Sequence, residues 1–387
     1  MSKRFSVGLL LLILFLPGAA WLVGFDYLPE LTENRAPHQV PALPTTLGAW
    51  KAFPKAFEPY WNDVFGFRRL LIFGNGVIHF LAGVSPSSQV LIGDQSWLFF
   101  AGSGVVERFR GQTVLSIEQL EEWRKALAAR QQAVARHGGH YLFVVAPDKD
   151  SIYPEHFPDR YDRIGPTPFQ VLLTYLRAHG DIAILDLRPA LIAAKSAGPL
   201  LYLRTDTHWN ERGAYHAYQA VMQRVAAWYP DLQPRSLSSF QARASQPWCG
   251  DLGIMVGLCA FIAEEEPQLV PTPSPAAREI LAANLCSPGA RRCEVQISEH
   301  PSAPSAIVFH DSFFVSADQR NKGLAADRTD RYRPPPSALH LSTMFGEKFS
   351  RTLLAWQPFD EAVVARDRPD VVIEELVERY LVRGPPQ

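Results

Sequence analysis

Four unbroken apolar runs of strand length constrain this chain more than any other feature: YLFVVAP at 141–147, IAILDL at 182–187, SAIVF at 305–309 and DVVIEE at 370–375. Runs that are apolar on both faces are typical of parallel strands covered by helices on both sides. Helical patterns lie between them near 167–179 and 211–228. This alternation predicts an α/β fold, a parallel sheet flanked by helices, with ligands bound at the carboxyl ends of the strands.

Two further elements are predicted upstream of the first run. VLIGDQSWLFFAG at 90–102 predicts a pair of strands around a turn at Gly93 and Asp94. Ser116 and Gln119 have the spacing of a capping box, and apolar residues then recur at helical spacing as far as 134. We therefore expect a helix to precede the first buried strand.

An uncharged run of 21 residues, 5–25, follows Lys3 and Arg4 at the amino terminus. It is long enough to cross a bilayer, which takes about 20 apolar residues, and the charges on its two sides place the short tail in the cytoplasm. A cleaved signal peptide is the alternative, because residues 17–20 offer small side chains near a cut. The apolar run continues through 21–23, which favours an uncleaved anchor in the bacterial inner membrane with a periplasmic domain.

The composition after this run predicts the domain organisation. Residues 26–60 are rich in proline and polar residues, which is typical of an extended tether. We expect an anchor at 1–25, a tether and N-terminal lead-in at 26–85, and one α/β domain at 86–387. The formal net charge is -1 and no long basic run occurs, which argues against a nucleic-acid binder.

All four cysteines fall in one segment of the chain, as Cys249, Cys259, Cys286 and Cys293. An even number of cysteines in an exported domain favours disulfides, and their spacing leaves both a Cys249 to Cys259 link and longer links open. A zinc site is the rival interpretation, but no C-x-x-C pair is present. We predict disulfides and no bound metal.

Polar residues follow two of these runs and one further short apolar segment, LYL at 201–203, at the sheet edge where ligands are expected. They are Asp148, Lys149 and Tyr153; Asp206 and His208; and His310, Asp311 and Ser312. An aspartate beside a histidine can fix the imidazole tautomer so that Nε2 acts as a general base toward a hydroxyl. Ser312 is the candidate nucleophile for such an acyl transfer.

Two other interpretations of Asp206 and His208 remain open at this point. Asn210 can cap the helix that follows, which would leave the pair as turn residues. Alternatively, D-x-H can supply metal ligands, with His310 as a further candidate. Lys149, Tyr153, Trp209 and His310 are candidate substrate contacts, although each residue type in such a position also occurs in packing or solvated roles.

The segments ENRAP, YWNDVFGFRRLL, VLIGDQSWLFF, VVAPDKDSIYPEHFP, TDTHWNERGAYHAY, HDSFF and RPDVVIEELVERYL occur in an order that resembles the alginate O-acetylation family of the AlgX/AlgJ type, which is SGNH-hydrolase-like. The resemblance covers roughly residues 30–381. It implies a serine acyl-enzyme acetyltransferase with Ser312 as nucleophile, His208 as base and Asp206 orienting the base. A separate G-x-N-D block is lacking, and His310 replaces the glycine usual before D-S.

The resemblance also implies the partners. A polysaccharide would accept the acetyl group, a membrane-bound O-acyltransferase would supply it, and other polysaccharide secretion subunits would accompany them, with no cofactor. The alternatives are a carbohydrate O-acetylesterase, a noncatalytic glycan-binding scaffold of a secretion complex, and a metal-dependent hydrolase. The first shares the triad and uses water as the acceptor, whereas the second would not need Ser312.

Overall fold

The computed structural model describes residues 3–24, 38–281, 283–321 and 334–386. The strands are β1 Val90–Ile92, β2 Leu98–Phe100, β3 His140–Ala146, β4 Ile184–Asp186, β5 Phe240–Arg243, β6 Gln268–Pro271, β7 Ala277–Leu281, β8 Cys293–Ser298, β9 Ala306–Phe309, β10 Arg351–Ala355 and β11 Val371–Val377. The helices are α1 Lys3–Leu22, α2 Leu47–Val64, α3 Arg68–Leu81, α4 Val105–Arg110, α5 Ile117–Ala135, α6 Lys149–Ile152, α7 Pro168–His179, α8 Arg188–Ser196, α9 Glu211–Ala226, α10 Asp251–Val256, α11 Cys259–Ile262, α12 Ala317–Asn321, α13 Leu341–Gly346 and α14 Glu361–Asp367. Single 3-10 turns lie at Asp94–Ser96, Pro154–His156, Leu237–Ser239 and Ala283–Leu285, and a longer 3-10 segment lies at Glu378–Arg383.

The central sheet has seven strands in the order β4-β3-β11-β9-β10-β8-β7. The first five are mutually parallel and include all four of the predicted apolar runs. The prediction of a wholly parallel sheet is wrong at one edge, where β8 and β7 run antiparallel to their neighbours. These two strands follow each other closely in the chain, so they pair as a hairpin and need no crossover helix.

The sheet is covered by helices on both faces, as predicted. Residues at alternate positions of β3 point to opposite faces, because the side-chain period of a strand is two. Leu142 and Val144 belong to the core formed with α8, α9 and α13, whereas Tyr141 and Phe143 belong to the core formed with α5, α7 and α14. The predicted capping box at the start of α5 is present.

The N-terminal part differs from the extended tether that the sequence predicts. Residues 47–60 lie in helix α2, whose N-cap Thr46 accepts a hydrogen bond from the Ala49 N–H group. Residues 25–37, which include most of the early tether and the last residue of the predicted anchor, lie outside the described residues. Helix α3 packs through Phe80 against residues in and beside α10.

In the described part of the chain, no single helix combines the length and the apolar character that a bilayer crossing needs. By length and composition only, α2 and α3 would do so as a pair bent by 64°, and α1 contains a shorter apolar helix at Val7–Leu22. The anchor at residues 5–25 therefore stays a prediction.

Each disulfide joins two cysteines that follow one another in the sequence, with no other cysteine between them. Cys249 bonds to Cys259 and Cys286 bonds to Cys293, so the shorter of the links left open by the spacing is the one formed. The first disulfide spans α10, and the second joins the segment before β8 to the first residue of that strand. The expectation that the cysteines are oxidised is confirmed.

Candidate active site

The structure brings Asp206, His208 and Ser312 together at the carboxyl edge of the parallel strands. The Ser312 hydroxyl lies 3.0 Å from His208 Nε2, and His208 Nδ1 lies 2.9 Å from Asp206 Oδ1. Asp206 Oδ1 also accepts a hydrogen bond from the His208 backbone N–H at 2.8 Å. This chain of contacts has the geometry in which a serine transfers its proton to an imidazole that a carboxylate orients.

A buried lysine, Lys149, forms hydrogen bonds with the backbone of the base loop, residues 204–208. Lys149 Nζ donates hydrogen bonds to the backbone carbonyls of Leu203, Arg204 and Asp206, at 3.1, 3.0 and 2.7 Å. Burial lowers the pKa of Lys149 to about 8, against the attraction of nearby carboxylates. Lys149 is therefore committed to the loop backbone, which corrects its predicted role as a substrate contact.

The helix-capping interpretation of this segment is correct for one residue. The Asn210 side chain accepts a hydrogen bond from the Gly213 N–H group and so caps α9. Asp206 and His208 are not left over as solvated turn residues, because their side chains are 5% and 8% exposed. Capping and the Asp206 to His208 contact therefore coexist in one short segment.

The nucleophile turn, residues 310–314, continues directly from β9. Asp311 fixes it by accepting hydrogen bonds from the backbone N–H groups of Phe313 and Val377, each at 2.8 Å, and the Asp311 N–H donates to the Glu375 carboxyl at 3.1 Å. Among the described residues, the Ser312 N–H has no hydrogen-bond acceptor. A free N–H beside a nucleophile is a suitable donor to an oxyanion.

Three charged groups determine the electrostatics around the imidazole. Arg320 Nη2 lies 3.5 Å from Asp206 Oδ2, and Asp251 Oδ2 lies 3.7 Å from His208 Nδ1. Burial and the Arg320 charge hold the pKa of His208 below its ordinary value, against the opposite effects of Asp206 and Asp251. His208 is consequently neutral near pH 7, as a general base must be.

Ionisation of Asp206 depends on the same neighbours. Burial opposes its charged form, but Arg320 and His208 outweigh burial and keep the pKa of Asp206 below its ordinary value. An ionised Asp206 fixes the proton of His208 on Nδ1 and leaves Nε2 free to accept a proton from Ser312.

The other predicted substrate contacts are placed differently by the structure. Tyr153 is 2% exposed, its ring packs 4.5 Å from that of Trp97, and its hydroxyl accepts the Leu201 N–H at 2.9 Å. These contacts assign Tyr153 to the core and correct its predicted role as a substrate contact. Trp209 is 7% exposed and packs edge-on against Phe313 at 5.2 Å.

His310 is also buried, directly before the nucleophile. Its Nδ1 lies 2.8 Å from the Asp311 carbonyl, and its ring lies 4.9 Å from that of Phe314. Burial lowers the pKa of His310 to about 4, so its ring is neutral. His310 and Asp311 border a cavity of about 920 Å³ together with Glu375 and Trp356, within the range of ligand pockets.

A metal site is the remaining interpretation of the D-x-H pair. Donor atoms of Asp206, His208 and Asp251 lie within 4.8 Å of one another, so Asp251 supplies the third candidate ligand that the sequence did not reveal. His310 is not in this group. The Arg320 guanidinium beside Asp206 disfavours a second cation there.

The sequence profile described as "SGNH hydrolase-like domain, acetyltransferase AlgX" matches residues 90–284, half of the chain. The chain belongs to this family. The matched range contains Asp206 and His208 and ends before Ser312. The family predicted from the sequence motifs is thus confirmed, together with an SGNH-like α/β domain.

Two relatives carry the description "Probable alginate O-acetylase AlgJ". The protein of Pseudomonas syringae pv. tomato is 30% identical over 212 residues, which are 53% of this chain and 50% of that protein. The protein of Pseudomonas aeruginosa is 31% identical over 173 residues, 44% of this chain and 41% of that protein. The chain therefore matches about half of the length of these relatives or less.

Two solved structures share the fold. A DHHW family protein from Eubacterium siraeum superposes with a TM-score of 0.51 at 12% identity, covering 78% of this chain and 97% of that one. PatB1 of Bacillus cereus, solved with a sulfonyl adduct, gives 0.50 at 13% identity, covering 76% and 97%. At these identities the likeness concerns the fold alone.

Proposed function

We propose that this protein is a polysaccharide O-acetyltransferase that works through an acetyl-serine intermediate. The observation that carries the proposal is the hydrogen-bonded chain from Ser312 through His208 to Asp206. Membership in a family described as an acetyltransferase supports the choice of acyl group. The AlgJ relatives support alginate or a related exopolysaccharide as the acceptor.

The first half-reaction acetylates Ser312. His208 Nε2 takes the hydroxyl proton while Ser312 Oγ bonds to the acetyl carbonyl carbon, and the oxyanion receives a hydrogen bond from the Ser312 N–H. The bond from the carbonyl carbon to the leaving oxygen then breaks, and His208 returns its proton to that oxygen. Asp206 stabilises the imidazolium that forms between these steps.

The second half-reaction moves the acetyl group to the glycan. A sugar hydroxyl gives its proton to His208 Nε2 and bonds to the acetyl carbon, after which the bond to Ser312 Oγ breaks and His208 returns the proton to Ser312. Water in place of the sugar would make the protein an acetylesterase. The acceptor therefore decides between the two activities, and the triad is common to both.

The proposal includes the cellular location of the protein and its partners. We place the chain in the bacterial inner membrane through residues 5–25, with the α/β domain in the periplasm. A membrane-bound O-acyltransferase would bring the acetyl group to Ser312, and other polysaccharide secretion subunits would bring the glycan.

The test is turnover of a chromogenic acetyl ester by the full chain, with intact mass to detect an acetyl adduct. Ser312→Ala and His208→Ala should each lower turnover by about a thousandfold or more, and the adduct should disappear. Ser316→Ala, which removes a hydroxyl four residues along the same segment, should retain both signals. Acetylated glycan in the products distinguishes transfer from hydrolysis, and a folded wild type without adduct or turnover would favour the glycan-binding scaffold.

A further inference from the structure

A short segment around the first disulfide closes on itself beside the base loop. This brace, residues 248–264, is tied at its ends by reciprocal backbone hydrogen bonds between Trp248 and Glu264, both 3.0 Å long. The Cys249–Cys259 disulfide closes it a second time, and Cys249 is 1% exposed. Helix α10 and its first residue, Asp251, lie inside this doubly closed loop.

The brace contacts the backbone of the base loop at several points. The Gly250 and Gly253 N–H groups donate to the Thr205 hydroxyl and carbonyl, at 3.1 and 3.0 Å. The Glu264 carboxylate accepts the Thr205 N–H and hydroxyl, at 2.8 and 2.7 Å. A Cβ atom at Gly250 would lie 2.4 Å from the Asp206 Cβ atom, so this position brings the two backbones together.

Asp251 connects the brace to the imidazole itself. Its Oδ1 accepts hydrogen bonds from the N–H and the hydroxyl of Thr207, at 2.7 and 3.0 Å, which orients the carboxylate. Its other oxygen then lies 3.7 Å from His208 Nδ1, on the same nitrogen that Asp206 contacts. The Asp251 side chain is 35% exposed and that of Asp206 is 5% exposed.

We propose that Asp251 is a second acidic positioning residue for His208, and that the Cys249–Cys259 disulfide holds it in place. The inference rests on the proposed acyl-transfer function and adds a residue and a covalent link to its machinery. Asp206 orients the imidazole by direct contact, and Asp251 adds negative charge beside Nδ1 when the imidazolium forms. The disulfide joins the two sides of the segment that carries α10, and hydrogen bonds attach this segment to the base loop, so the disulfide limits the movement of Asp251 relative to His208.

The charge of Asp251 should be visible in the pH dependence of turnover. Within the described part of the chain, Asp206, Asp251, Arg320 and Asp311 interact electrostatically with His208. Asp251→Asn keeps an oxygen for Thr207 but removes a charge that raises the pKa of His208. The acid limb of the kcat/KM profile should therefore move to lower pH, while kcat falls about fivefold because the imidazolium is less stabilised. Asp251→Glu keeps the charge and should return the acid limb of the kcat/KM profile to its wild-type pH.

The role of the disulfide is tested with the full chain and a matched pair of variants. Cys249→Ser with Cys259→Ser should lower ester turnover about tenfold, because a base displaced from its productive geometry transfers protons less efficiently. Cys286→Ser with Cys293→Ser removes the other disulfide and should leave turnover unchanged. Tris(2-carboxyethyl)phosphine should reproduce the first loss in the wild type, and circular dichroism should report folding for every variant.

A second readout separates this inference from the proposed function. Phenylmethylsulfonyl fluoride should sulfonylate Ser312 in the wild type, releasing fluoride, and intact mass gives the rate. No labelling and no turnover in the folded wild type would overturn the proposed function itself. Wild-type rates and an unshifted acid limb in Asp251→Asn would overturn the role of Asp251 alone. If the Cys249 and Cys259 variant does not fold, Asp251→Asn and its pH profile still decide the role of the carboxylate.

Discussion

The base loop and the nucleophile turn meet through the 3.0 Å contact of His208 with Ser312 and the packing of the His208 ring against Phe313, yet they are held in different ways. The nucleophile turn is an extension of the sheet: the His310 N–H donates to the Ala355 carbonyl at the end of β10, and Asp311 accepts the Val377 N–H at the end of β11. The base loop does not extend a strand of the central sheet, although the Leu98 N–H of β2 donates to the Arg204 carbonyl at 3.0 Å. Its backbone is fixed by Lys149 and by the brace.

Ser312 and His208 are therefore positioned by two different kinds of contact. The position of Ser312 is determined by the ladder hydrogen bonds of β9 with both of its neighbours. The position of His208 depends on a few side chains that bond to backbone groups far away in the sequence. We therefore expect turnover to be more sensitive to substitutions that affect the base loop than to those that affect the nucleophile turn. Four substitutions test this expectation.

The largest effect is expected for Lys149→Met, which removes the Nζ hydrogen bonds to the carbonyls of Leu203, Arg204 and Asp206. The Arg204 carbonyl keeps a second donor, the Leu98 N–H, at 3.0 Å. Removing the buried ammonium group relieves its desolvation cost, but the lost hydrogen bonds cost more free energy. We therefore expect the free energy of unfolding, measured with urea, to fall by about 2–3 kcal/mol. Ester turnover should fall about a hundredfold as the loop shifts. Lys195→Met is the control, because Lys195 is 24% exposed and its loss should cost about 1 kcal/mol or less.

Gly250→Ala should have the next largest effect, since the new methyl group must displace the backbone of Asp206, whose N atom would lie 2.6 Å away. We expect turnover to fall about thirtyfold and the unfolding free energy to fall by about 1–3 kcal/mol. Gly180→Ala introduces the same group into open space. Equal turnover in the two variants would show that the base loop tolerates movement.

The same contrast explains what the sequence could predict. Apolar runs identify buried strands, so β9, which leads into Ser312, follows from local pattern, as does the capping box of α5. Ser312 is predictable from the sequence because it closely follows an apolar run of strand length. The pair Asp206 and His208 was found because an aspartate and a histidine two residues apart are conspicuous without knowledge of the fold.

Residues that act across long sequence distances could not be found in this way. Asp251 reaches His208 over 43 positions and Arg320 reaches Asp206 over 114, and neither occupies a strand end. The sequence showed only that four cysteines cluster, which pointed to disulfides and not to a support for the base. The position of Lys149 after β3 can be predicted from the sequence and suggests a substrate contact. The direction of its side chain cannot be predicted in this way.

Asp311→Asn tests the nucleophile turn. Asp311 accepts hydrogen bonds from two backbone N–H groups, one on each carboxylate oxygen. An amide offers a single oxygen, so one of these N–H groups must lose its acceptor, while the hydrogen bonds between β9 and its neighbouring strands remain. We expect turnover to fall about tenfold and less than in Gly250→Ala. Asp159→Asn, at a surface position, provides the baseline. A loss larger than that of Gly250→Ala would mean that the nucleophile turn is the more sensitive half.

The smallest effect is a shift in pH dependence for Arg320→Gln, which acts at the junction of the two halves. Arg320 contacts Asp206 and donates to the Val315 carbonyl at 2.8 Å, so it links the base loop to the segment after Ser312. Its charge lowers the pKa of His208, and its removal should raise that pKa. Because the base must be neutral, the acid limb of kcat/KM should move to higher pH.

Turnover by Arg320→Gln should therefore fall more at pH 6 than at pH 8 relative to the wild type, when a full pH profile is measured for both. Arg366→Gln, which removes an exposed arginine paired with Asp367, should leave the profile unchanged. A uniform loss across the pH range would assign Arg320 to the geometry of the junction. A limb that moves to higher pH would assign it to the charge of the base, because the same guanidinium that stabilises ionised Asp206 opposes the imidazolium beside it.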